Sequence, residues 1–62
     1  MKNYLICKNA GDDNYGVFAS SRAKSLGYLN KEMERGKLCF PEYHDWKIVS
    51  EAELNKIIEE AA

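Results

Sequence analysis

Ser50-Glu51-Ala52-Glu53 constrains this chain more than any other stretch. It is a Ser-x-x-Glu capping box. The Ser50 hydroxyl can accept from the backbone N–H of Glu53, and the Glu53 carboxylate can reach back to the N–H of Ser50. Directly before it, the short apolar run Trp46-Lys47-Ile48-Val49 reads as a strand. Val49 and Leu54 flank the cap at the spacing of a hydrophobic staple. Beyond it, Leu54, Ile57, Ile58 and Ala61 recur at helical spacing on one face. Glu51 and Glu53 are therefore structural first, since carboxylates favour the positive end of a helix dipole.

The remaining elements follow from pattern. Tyr4-Leu5-Ile6-Cys7 shows no alternation, which points to a strand covered on both faces or central in a small sheet. Asn9 to Asn14 is a dense turn signal, and Tyr15 to Ala19 is the next strand, so the two form a hairpin with a loop of about six residues. Pairing Ile6 with Val17 would set Tyr4 opposite Ala19. Ser20-Ser21 offers an N-cap. From Arg22 to Arg35 the period is helical, with Leu26, Leu29 and Met33 on one side and Gly36 placed as a left-handed C′ residue. Gly27, inside that helix, costs about 1 kcal/mol against alanine, a loss that close backbone approach to the sheet would explain. Lys37 to Asp45 holds at most a short extended piece before Pro41.

The expected fold is thus α+β: a single domain over residues 1–62 with the order β-β-α-β-α. A three-stranded sheet in the order 2-1-3 carries both helices on one face, as a two-layer structure.

Size and charge limit the function. A 62-residue domain buries only about 60% of its unfolded surface, which leaves no room for an enclosed substrate cavity. With 45% hydrophobic and 31% charged residues, the chain has enough apolar surface to fold. Its net charge of −1 removes bulk attraction to nucleic acid or an anionic membrane. No apolar run reaches the length of a signal-peptide core or a membrane span, so the expectation is a soluble cytoplasmic protein with no membrane partner. Cys7 and Cys39 are then expected as reduced thiols.

Three surfaces are candidates for function. The first is the outer face of the first helix, where Lys24, Tyr28, Lys31 and Arg35 fall in a narrow stripe opposite Leu26, Leu29 and Met33. Such a ladder can contact phosphates, with Tyr28 stacking on a base, though lysine and arginine are also ordinary residues of a solvated helix. The second is the sheet face left bare if both helices share the other one. The third is the loop cluster Phe40, Tyr43, His44 and Trp46, of which Trp46 is expected in the core.

Catalytic and metal chemistry find little support. Cys39 and His44 lie five apart with no Cys-x-x-Cys pair, the four glycines are scattered, and Asp12-Asp13 and Glu59-Glu60 sit in a turn and a terminal helix. No catalytic residue, metal site or cofactor is expected. The resulting expectation is a non-enzymatic protein-binding module that docks through Tyr4, Phe40, Tyr43 and His44. Its partner would be another protein or a second copy, paired through the open sheet face. A weak nucleic-acid binder using Lys24, Tyr28, Lys31 and Arg35 is the alternative. In size and general pattern the chain is similar to the small soluble α+β proteins of bacteria and their phages, which implies an inhibitor or adaptor.

Overall fold

The computed structural model describes residues 2–22 and 26–61. Its elements are β1 (Lys2–Lys8), β2 (Tyr15–Arg22), α1 (Leu26–Cys39), β3 (His44–Ser50) and α2 (Glu51–Ala61). The sheet order is β2-β1-β3, and β1 pairs antiparallel with both neighbours. The α+β class, the element order and the strand order all match the reading of the sequence.

The position of the helices does not match it: they lie on opposite faces of the sheet. Ile6 and Val49 pack with Leu54 of α2, and Tyr4, Tyr15 and Ile57 join that cluster. Leu5 and Ile48 are paired and face the other way. On that second side Trp46 meets the backbone of Gly36 in α1. Leu5, Ile6 and Cys7 are consecutive and all buried, which one covered face cannot achieve. The run Leu5-Ile6-Cys7 needs cover on both sides, and one helix is set against each face. The overall dimensions of 33 × 29 × 11 Å fit a helix–sheet–helix stack only as wide as the sheet.

The helices are also offset. α1 packs chiefly over β2, while α2 packs over β1 and β3. The α2 side of β2 is thereby left without a helix.

Both edge strands are longer than their apolar runs. β2 continues through Ser20 and Ser21 to Arg22, because β1 begins at Lys2 and offers ladder partners as far as Lys2↔Arg22. Arg22 is therefore a strand residue, and the Ser20-Ser21 cap expected there does not form. Ile6 pairs with Val17 as expected, but an irregularity between Leu5 and Ile6 sets Tyr4 opposite Ser20 and Leu5 opposite Ala19. Phe18 is the extra residue of this bulge.

β3 carries a second irregularity, opposite the Ile6–Lys8 stretch of β1. There Asp45 adopts φ 55°. Asp tolerates this left-handed region better than most residues, and a β-branched side chain tolerates it poorly. The Lys8 Nζ to Asp45 Oδ2 ion pair at 3.9 Å is exposed and adds little. Asp45→Val is expected to lower stability by roughly 1–2 kcal/mol and Asp45→Gly to leave it unchanged or raise it. Urea denaturation of the two variants checks this.

α1 runs on to Cys39, so Gly36 is not its left-handed terminus. The N–H of Phe40 still donates to the carbonyl of Gly36 at 2.8 Å, in the helical i to i−4 pattern. Pro41 stops the helix, because it has no N–H and excludes helical geometry at the residue before it. Gly27 has open space around it, and the close approach belongs to Gly36. Half of the capping box forms: the N–H of Glu53 donates to Ser50 Oγ at 3.2 Å, while among the described residues no reciprocal bond from the Ser50 N–H to the Glu53 carboxylate is present. Val49 and Leu54 share one buried cluster, as the staple requires.

Candidate functional site

The four residues proposed for docking do not form one surface. Phe40 and Tyr43 meet, with ring centroids 5.5 Å apart. Phe18 packs edge-on against Phe40, Tyr43 and Trp46, closest to Trp46 at 5.0 Å. These four rings cap the α1 side of the sheet where α1 ends. Edge-to-face pairs of this kind contribute about 0.5–1.5 kcal/mol each beyond area burial, so most of the cluster is structural. Phe40 keeps part of its ring in solvent, and Leu38 beside it is 83% exposed. His44 is exposed at the start of β3, opposite Lys8. Tyr4 lies on the other face, in the cluster under α2. The 37–45 segment does not fold over the sheet through Leu38. Phe18 had no sign of its role in the sequence, because the bulge that turns its ring is a property of the pairing.

The basic stripe is partly seen. Tyr28, Lys31 and Arg35 are exposed, while Leu29 on the opposite side is fully buried. Arg35 Nη1 lies 3.6 Å from Glu32 Oε1, which offsets one of the cations. Lys24 lies outside the described residues.

Cys7 is buried, and burial pushes its thiol above the ordinary value. Cys39 is exposed. Among the described residues, no three His, Cys, Asp or Glu side chains gather closely enough to hold a metal ion. No described helix is long and apolar enough to cross a membrane.

The offset of α2 creates the most distinctive surface. Between α2 and β2 runs an open apolar groove of about 300 Å³, lined by Asn14, Tyr15, Leu54, Ile57, Ile58 and Ala61. Val17 follows Tyr15 on the same side of β2 and is 52% exposed, and Ile58 is 55% exposed. Leu54 closes the bottom of the groove, and Ile58 stands on its wall. The Lys8 and Lys47 ammonium groups lie 4.9 and 5.0 Å from the centroid of the Tyr15 ring and hold it in place by cation–π attraction. The opposite flank of α2 is different in kind: Lys47, Glu53, Lys56 and Glu60 surround Ile57 there. That flank is also an open depression, but charged side chains line it, whereas the groove beside β2 is lined mainly by apolar ones.

The periodicity of α2 already placed Ile58 on its apolar face. The exposure of Ile58 follows from where the helix sits on the sheet, which periodicity does not report. No protein-family model, no curated protein and no solved structure matches this chain.

Proposed function

We propose that this protein is a small docking module. It binds a larger protein through the groove between α2 and β2 and acts as an inhibitor or adaptor. The observation that carries this reading is an apolar depression walled by the half-exposed Ile58, with the half-exposed Val17 two residues beyond Tyr15 on the same side of β2. In so small a domain nearly every large apolar side chain is needed inside, so two left outside together mark a contact surface. The expected bare sheet face is thereby reduced to the strip over β2, on the α2 side. Nothing comparable favours nucleic acid, since Glu32 engages the cation at the end of the described stripe.

The test compares Ile58→Ser with Leu38→Ser, a still more exposed site beside the aromatic cluster. A protein captured from the source cell by the wild type should bind Ile58→Ser at least tenfold more weakly, about 1.4 kcal/mol. Leu38→Ser should bind it like the wild type, and both variants should melt like the wild type. Loss of capture with Leu38→Ser alone would move the docking surface to the aromatic end and sink this reading.

A further inference from the structure

Resting on the docking reading, we infer that the groove receives an amphipathic helix of a partner protein, apolar on one side and carrying Lys or Arg along its flanks. The shape of the site comes first. α2 covers β1 and β3, and on the same face β2 is covered chiefly at Tyr15, while Val17 stays half exposed. Helices pack with their axes 8–10 Å apart, so a second helix laid beside α2 would lie over β2. It would rest on Tyr15 and Val17 and touch Ile58 and Ala61 from the side. It would thus complete a helix layer that the chain itself leaves half filled. An extended segment added to the edge of β2 would lie in the plane of the sheet and leave Val17 and Ile58 uncovered.

The charge of the rim then selects the flanks of that helix. At one end of the groove Asn14 joins the hairpin turn that carries Asp12 and Asp13. α2 runs toward the same end, bringing Glu59 and its terminal carbonyls, which carry partial negative charge. By helical geometry Glu51 and Glu59 fall on the side of α2 next to Ile58. Among the described residues none of Asp12, Asp13, Glu51 and Glu59 is in an ion pair. The cations at the groove are Lys8 and Lys47, both held against the Tyr15 ring, with Lys8 also near Asp45; Lys56 is on the other flank of α2. The four carboxylates outnumber these two ammonium groups, so the rim stays net negative. A phosphate-bearing surface would be repelled by this rim, and a basic helix would be drawn to it.

A second copy of this chain is a poor occupant by the same criterion. Its α2 carries Glu51, Glu53, Glu59 and Glu60 against Lys56 alone, so like charges would meet. The apolar side of its α1 is spent on its own sheet, where Leu29 is fully buried.

The experiment titrates the full ¹⁵N-labelled chain with a synthetic Leu/Lys amphipathic helix of about 15 residues, long enough to span α2. A Leu/Glu peptide of the same pattern is the control. The Leu/Lys peptide should cause saturable amide shifts at Tyr15, Val17 and Ile58. Binding should weaken as salt is raised and fall at least tenfold in Ile58→Ser and in the double variant Asp13→Lys/Glu59→Lys. Equal binding of the Leu/Glu peptide in the groove would overturn the basic partner and leave the docking reading standing. If neither peptide shifts these residues, the helical occupant is wrong, and the Ile58→Ser capture comparison still decides docking separately. Concentration-dependent shifts at the same residues without peptide would overturn the inference in favour of a second copy.

Discussion

Leu5→Ala and Ile6→Ala should each cost about 2–5 kcal/mol, although the two residues are neighbours in one strand. Both side chains are completely buried. Leu5 pairs with Ala19 and Ile48 on the α1 side, and Ile6 packs with Val49 and Leu54 on the α2 side. A domain of 62 residues has a total stability of about 3–9 kcal/mol. Either substitution therefore removes a large part of it. Urea denaturation followed by far-UV circular dichroism measures both. Where an alanine variant does not fold, Leu5→Val and Ile6→Val give smaller readable losses of about 1 kcal/mol each. Adjacent strand residues point to opposite faces, so this pair reads the two layers separately. If one of them costs under about 1 kcal/mol, its face is not covered by a helix, and the three-layer arrangement fails.

The local elements of this fold were legible because their determinants are local. The Ser50 cap, the Val49–Leu54 staple, the hairpin turn and the helical period of α2 each depend on residues within a few positions of one another. In the turn, the N–H of Asp12 donates to the carbonyl of Asn9 at 3.0 Å, and Gly11 takes φ 80°. Glycine adopts that angle without steric cost. Strand order was also accessible, since an unalternating strand belongs in the middle of a sheet.

The same unalternating run, Leu5-Ile6-Cys7, already required cover on both faces. The expectation of two helices on one face conflicts with it, and the structure resolves the conflict by setting one helix against each face. The end of α1 was misread for a related reason. Glycine commonly ends a helix, and Gly36 stands where a left-handed terminus would be expected. Its use here is set by Trp46, ten residues later, which a local pattern cannot register. The groove was the least legible feature. It depends on α2 sitting over β1 and β3 rather than over β2, and no residue pattern records that choice. Of the docking candidates, Phe40 and Tyr43 were correctly joined by proximity in sequence. Tyr4 was not, because its partners come from α2 on the far face.

Gly27→Ala and Gly36→Ala should have opposite signs, although both replace a glycine within the same helix. Gly27 is exposed, and a Cβ there meets nothing within 4 Å. Alanine at that position is expected to stabilise the protein by up to about 1 kcal/mol, the intrinsic helix preference. At Gly36 a Cβ would lie 2.9 Å from Trp46 Cζ2 and 3.0 Å from Cζ3, and closer still to Cη2. The indole has little freedom to retreat, because Phe18 and Tyr43 pack edge-on against it. Overpacking of this kind costs about 1–3 kcal/mol against a helix gain of up to about 1 kcal/mol, so a net loss of up to about 2 kcal/mol is expected. The smaller ring of Trp46→Phe removes the atoms that clash. In that background Gly36→Ala should become neutral or stabilising, a coupling that a double-mutant cycle isolates. Loss of near-ultraviolet tryptophan dichroism in the single variant would show that the indole has been displaced. If Gly36→Ala instead stabilises the protein as much as Gly27→Ala, Trp46 does not rest on this helix, and the packing that holds α1 to the sheet must be drawn differently.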